Sequence, residues 1–131
     1  MKLDQLKNIG KILDYSLQGY ALHKIVLENN IPVDYIYLDV NTHFEKITGL
    51  TGSNIINKKI TEVLPGIVND ETNWIKIFGE VAQKQIQKNF IQYSDILEKW
   101  FNVSAYSPEK GYFVAVFTDI TEIKLNELQQ K

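Results

Sequence analysis

The stretch Gly111-Tyr112-Phe113-Val114-Ala115-Val116-Phe117-Thr118-Asp119-Ile120-Thr121 decides how this chain folds. From Tyr112 to Thr118 every residue is apolar or β-branched, on both alternating faces of an extended chain. A strand with one wet face alternates apolar and polar residues, whereas an unbroken run belongs to a strand covered on both sides. This segment is therefore expected in the middle of a sheet. Directly after it, Asp119 offers an acceptor side chain and Glu122 follows three residues later, ahead of the helix-prone run Ile123 to Lys131. That spacing predicts an N-cap with a capping-box glutamate. A central strand then passes without a linker into a departing helix, which gives strain in the sheet a mechanical way out of the domain.

Upstream, Pro108-Glu109-Lys110-Gly111 reads as a tight hairpin connection. In Trp100 to Ser107, Phe101, Val103 and Ala105 alternate with Trp100, Asn102, Ser104 and Tyr106; Asp95 to Lys99 reads as a turn and Ile86 to Tyr93 as a further strand. Before the strands, Trp74, Ile77, Phe78 and Val81 recur at helical spacing, predicting a helix that starts at Asp70 and runs to about Lys84. Shorter helical turns are expected from Asn41 or Thr42 to Thr48, closed by Gly49, then over Gly52 to Asn57 and Ile60 to Leu64, closed by Pro65-Gly66.

Earlier still, Tyr20 to Leu27 and Asp34 to Val40 form a hairpin through Glu28-Asn29-Asn30-Ile31-Pro32. Ile36, Leu38 and Val40 are expected on its core face, with Tyr35 and Tyr37 on the outside, where something must cover them. Leu3, Leu6, Ile9 and Leu13 make an amphipathic helix from Lys2 to Leu17. Its stripe either folds back on the sheet or pairs with a second copy, and both arrangements can coexist.

At 131 residues the chain is expected to be one domain that buries roughly two thirds of its unfolded surface. It has no cysteine, which removes disulfides, thiol chemistry, thiolate zinc sites and cysteinyl adducts. The net charge is -2 and all fourteen basic residues are lysine, so no nucleic-acid partner is expected. No apolar run approaches the ~20 residues of a membrane span. No direct membrane contact and a cytoplasmic location are expected, with any anchor lying outside this chain.

Catalytic patterns are thin. Asp4, Asp34, Asp39, Asp70, Asp95 and Asp119 sit mostly at turns or caps, and His23 and His43 have no partner at ligand or triad spacing. Gly49-Leu50-Thr51-Gly52 lacks the Gly-Lys-Ser/Thr ending of a phosphate loop. No catalytic residue and no metal site are expected.

With these elements in order, the chain resembles a PAS domain, the sensory module of histidine kinases, diguanylate cyclases, phosphodiesterases and chemoreceptors. The resemblance rests on Asp39-Val40-Asn41, Phe44-Glu45-Lys46-Ile47-Thr48-Gly49, Ile55-Ile56-Asn57-Lys58-Lys59, Glu62-Val63-Leu64-Pro65-Gly66, Lys99-Trp100-Phe101-Asn102-Val103-Ser104-Ala105 and Asp119-Ile120-Thr121-Glu122, over roughly residues 18 to 124. Two positions depart from the family pattern. Asn57 stands where the family often has glycine, at a position expected to need φ > 0, and Ile123 replaces a common arginine together with the ion pair it would make.

The resemblance implies an α+β fold. Its five-stranded antiparallel sheet has order 2-1-5-4-3 and short helices on one face; residues 1–17 form an N-terminal helix, 18–119 the core and 119–131 a C-terminal signalling helix. It implies a non-catalytic module that binds a small ligand or partner and relays its state through Asp119, Ile120, Thr121 and Glu122 to a covalently linked output domain in a prokaryotic signalling protein. A homodimer through the N-terminal helix and outer sheet face is expected with it.

Family members that form a light-driven flavin adduct need a cysteine, and those that ligate haem from the long helix need a histidine between Asp70 and Lys84; this chain has neither. No cofactor is expected. Haem through His23 or His43 and non-covalent flavin rank below an unidentified small organic ligand. The candidate pocket is lined by Phe44, Ile47, Ile56, Ile60, Leu64, Trp74, Phe78, Phe90, Val103 and Ala105. A constitutive dimerisation domain with a filled core is the alternative.

Overall fold

The computed structural model describes residues 4–6, 8 and 17–129. Strands β1 (Gly19–Glu28) and β2 (Ile31–Val40) form a hairpin closed by only Asn29 and Asn30, whose φ angles of 51° and 64° are those of a type I′ turn. Asparagine tolerates the left-handed region, so the five-residue connection expected from sequence shrinks to two and both strands lengthen. Pro32 falls inside β2, an edge strand where a missing N–H costs least.

The face assignment of β2 is corrected by the structure. Tyr35 and Tyr37 are buried on the helix side with the main core, and Leu38 packs on the opposite face of the sheet. Leu22 pairs with Asp39 but His23 pairs with Tyr37, so one extra residue of β2 is accommodated there. Such a bulge reverses the alternation, which is why Val40 turns back toward the main core.

Asn41 caps α1 (Thr42–Thr48), accepting the Phe44 N–H at 2.9 Å, and Gly49 ends it with φ 76°. Two single turns follow, α2 (Gly52–Ile55) and α3 (Ile60–Val63), separated by Asn57 at φ 67°, the positive value expected from its glycine-like position. A 3₁₀ turn over Pro65–Asn69 leads to α4 (Trp74–Lys84). This helix does not start at Asp70. Asn73 caps it, accepting from the Lys76 N–H at 3.1 Å, while the Asp70 carboxylate accepts the N–H groups of Thr72 (2.9 Å) and Asp95 (3.0 Å). The acceptor expected at a helix start instead ties this loop to the turn between β3 (Lys88–Ser94) and β4 (Lys99–Tyr106).

Strand β5 (Tyr112–Asp119) completes a sheet of order β2-β1-β5-β4-β3, all neighbours antiparallel. It lies in the centre, as its two-sided apolar run requires. Phe113 and Ala115 join the main core beneath the helices, and Val114 packs with Tyr20 and Leu22 on the other face. There Leu6 covers the sheet, and the Tyr20 hydroxyl donates to the Leu6 carbonyl at 2.8 Å. Residues 4–6 and 8 are helical and Leu17 lies in a turn; the other residues of the helix expected from Lys2 to Leu17 lie outside the described residues.

Gly79 sets how closely α4 lies on the hairpin. A Cβ there would fall 2.3 Å from Cγ and 2.4 Å from Cβ of Pro32. Helix propensity alone favours Gly79→Ala by about 1 kcal/mol, but overpacking against a rigid ring costs about 1–3 kcal/mol. A net loss of up to about 2 kcal/mol in urea unfolding is the expected result. A gain in stability would contradict this close approach.

Candidate functional site

An apolar cavity of about 40 Å³ lies between the inner face of the sheet and the helical wall. Tyr35, Tyr37, Phe101 and Phe117 project to it from three strands; Phe44, Thr48, Leu50, Ile60, Leu64 and Ile67 come from the segment of short helices. Trp74 and Phe78 reach it from α4, and Ser94, Ile96 and Leu97 from the end of β3 and the following turn. Among its lining residues Thr48, Leu50, Leu64, Leu97 and Phe117 are partly exposed and Ile96 is exposed. One water needs roughly 10–15 Å³ and a drug-sized ligand roughly 300–1,000 Å³. In this conformation the space suits a molecule of a few heavy atoms, and flavin or haem would require the walls to separate.

Among the described residues, no lysine, aspartate, glutamate or histidine lines the cavity. Beside the Trp74 indole, the polar side chains that line it carry hydroxyls, and these are engaged. Thr48 donates to the Phe44 carbonyl at 2.7 Å, Ser94 accepts the Leu97 N–H at 3.2 Å, and the Tyr35 and Tyr37 phenols bond each other. Burial pushes both phenols well above their ordinary pKa, so they stay neutral. A charged ligand would find no counter-charge here, and burying an unpaired charge is costly.

Of the ten residues expected at the pocket, Phe44, Ile60, Leu64, Trp74 and Phe78 line this cavity. Val103 and Ala105 are fully buried in the packed core, and Ile56 and Phe90 pack against its margin. Ile47 lines a separate surface groove beside the exit helix. The phenols were missed because the bulge in β2 cannot be read from alternation. Ser94, Ile96 and Leu97 come from a turn that sequence offers no reason to fold over a cavity.

Neither histidine lines the cavity. His43 borders the same outer groove as Ile47. His23, 1% exposed, stacks on Phe113 with ring centroids 4.1 Å apart and touches Tyr35, Tyr37 and Phe78. Its Nδ1 lies 3.3 Å from the Phe113 carbonyl, which accepts from the Nδ1–H tautomer. Burial lowers its pKa to about 3, outweighing that hydrogen bond. Among the described residues no group of three or more His, Asp or Glu is placed to hold a metal ion.

At the exit, Asp119 is the last residue of β5 and α5 (Thr121–Gln129) begins two residues later. The Asp119 Oδ1 accepts the Thr121 N–H at 2.9 Å, and the Ile120 carbonyl accepts the Lys124 N–H at 2.9 Å. The helix therefore starts one residue later than the expected N-cap at Asp119 implies. Asp119 closes the turn from just outside, and Glu122 sits in the first turn, where its charge suits the helix dipole. Trp100 anchors the junction: its N–H donates to Thr121 Oγ1 and its carbonyl accepts the Ile120 N–H, both at 2.9 Å. Lys124 Nζ lies 5.4 Å from the Trp100 ring centroid.

No family model matches the sequence, and no curated protein matches it. Solved structures do match. The LOV domain of the blue-light activated histidine kinase from Erythrobacter litoralis EL346 is 15% identical, with 79% of this chain and 95% of that one covered and a TM-score of 0.53. A domain of the sensory box sensor histidine kinase/response regulator from Geobacter sulfurreducens is 14% identical, with coverages of 90% and 97% and a TM-score of 0.55. The PAS domain of an HTR-like protein from Haloarcula marismortui is 13% identical, with coverages of 90% and 93% and a TM-score of 0.55. Likeness at this level of identity speaks to the backbone architecture alone. Among the described residues, no helix is long and apolar enough to cross a membrane.

Proposed function

Because the chain has the PAS fold, we propose that it works as a non-catalytic sensory module in a cytoplasmic signalling protein. A small neutral molecule enters the cavity, and the change is relayed through α5 to a linked output domain such as a histidine kinase, diguanylate cyclase or phosphodiesterase. Pairing of two copies through the N-terminal helix and outer sheet face would place the exit helices of both protomers under common control. The observation that carries this reading is the position of Phe117. It lines the cavity from β5, the central strand, two residues before the carboxylate that closes the start of α5. An occupant that pushes on Phe117 acts on the same strand end that holds the helix. Such an effector shifts the equilibrium only if it binds the two helix states with different affinity.

Xenon, a neutral probe of suitable size, tests the reading. In ¹⁵N-resolved spectra under xenon pressure, amides of Phe44, Ile60 and Phe117 are expected to shift together with those of residues 119–125. Shifts confined to the lining residues would defeat the relay. No shift anywhere would favour the second reading, a constitutive dimerisation domain with a filled core, to which the small volume of the cavity lends support.

A further inference from the structure

We propose that Lys99 is the positioning residue that couples the cavity wall to the exit helix. This rests on the relay reading above and assigns that relay a side chain outside Asp119 to Glu122. Lys99 opens β4 just after Ile96 and Leu97, which line the cavity. Its Nζ donates to the Ile47 carbonyl at 2.6 Å and lies 3.9 Å from Asp119 Oδ2. Ile47 belongs to the last turn of α1, the helix that presents Phe44 and Thr48 to the cavity. The other oxygen of the Asp119 carboxylate holds the Thr121 N–H at the start of α5. One ammonium thus spans the C-terminal end of a cavity-wall helix and the carboxylate that closes the turn into the exit helix.

The chemistry at both ends favours a cation. The last carbonyls of a helix have no partner within the helix and carry partial negative charge, so a lysine donor there satisfies an orphan acceptor. At the other end the charge holds the Asp119 carboxylate in place while it accepts from Thr121. If an occupant displaces α1, the Ile47 carbonyl moves with it, and the ammonium must change how it divides itself between Ile47 and Asp119. The side chains of Lys99 and Asp119 are 35% and 28% exposed. An ion pair with that much solvent access adds little to global stability, so its effect has to be read at the helix and not in the melting temperature.

The test compares Lys99→Met and Lys99→Arg with the wild-type chain by amide hydrogen exchange and by the response to xenon. In Lys99→Met the amides of residues 121–129 are expected to exchange about threefold faster, the change corresponding to loss of one partly exposed ion pair to Asp119. Those of residues 113–117 should be unchanged. The xenon-induced shifts at 119–125 should shrink to less than about half while those at Phe44 and Ile60 persist. Lys99→Arg, which keeps a donor and a charge, should restore both readouts. Wild-type exchange and a wild-type xenon response in Lys99→Met would overturn the role of Lys99 and leave the relay standing. Absence of any xenon response at 119–125 in the wild-type chain would instead overturn the relay itself and the coupling with it.

Discussion

Between pH 7 and pH 5 the protein is expected to lose about 2 kcal/mol of folding stability through His23 alone. The imidazole is enclosed by Phe113, Phe78, Tyr35 and Tyr37, and burial lowers its pKa from 6.5 to about 3 in the folded chain. Above pH 6.5 the ring is neutral in both folded and unfolded chains, and His23 contributes no pH dependence. As the pH falls below 6.5 the unfolded chain takes up a proton that the folded chain refuses, so the unfolded state gains. The loss accumulates until the pH nears the folded value of about 3. Carboxylates add their own titration below about pH 5, which is why the upper part of the window is diagnostic. Urea unfolding of wild type and His23→Phe at pH 7, 6 and 5 measures the effect. Phenylalanine keeps an aromatic ring against Phe113 and cannot titrate, so the variant should lose most of the slope. Equal slopes in both proteins would mean that the buried imidazole is not the cause.

Asn41→Ala is expected to cost about 2–4 kcal/mol, among the largest effects of any single side chain here. Asn41 is 3% exposed and sits where three elements meet. Its Oδ1 accepts the N–H groups of Tyr20 at 2.8 Å and Phe44 at 2.9 Å, and its Nδ2 donates to the Gln18 carbonyl at 3.0 Å. Alanine removes the cap of α1, worth about 1 kcal/mol, and leaves the Tyr20 N–H buried without an acceptor, worth about 1–3 kcal/mol. Asn41→Asp keeps both acceptor contacts but loses the donation to Gln18 and sets a buried carboxylate oxygen against that carbonyl, so it should recover only part of the loss. The consequence reaches the cavity, because the bond to Phe44 fixes where α1 begins and Phe44 lines that space. A loss below about 1 kcal/mol for the alanine variant would show that water or a neighbour replaces these bonds.

Several parts of the candidate site were legible in the sequence and others were not. Phe44, Trp74 and Phe78 repeat at helical spacing on elements whose inner face periodicity defines, so their place at the cavity follows from local pattern. Tyr35 and Tyr37 illustrate the opposite case. Alternation assigned them to the outside because Leu38 and Val40 appeared to share a face, and a single inserted residue in β2 undid that assignment. Aspartate favours caps, so by local chemistry Asp70 reads as a helix start. The structure spends it instead on amides of Asp95 and Ile96, which lie 25 and 26 residues away. No local propensity distinguishes those two uses. Lys99 read as the end of a turn, and neither of its partners is near it in sequence.

The sequence by itself determined the order of elements, the central place of β5 and its direct passage into α5. Those features follow from apolar periodicity, turn residues and capping chemistry, each acting within a few neighbouring positions. Only the tertiary structure decided the size of the cavity, which face of β2 lines it, and which cation meets Asp119. Such features depend on register shifts and on contacts between residues distant in sequence, where moving one strand by one position exchanges every side chain between core and solvent.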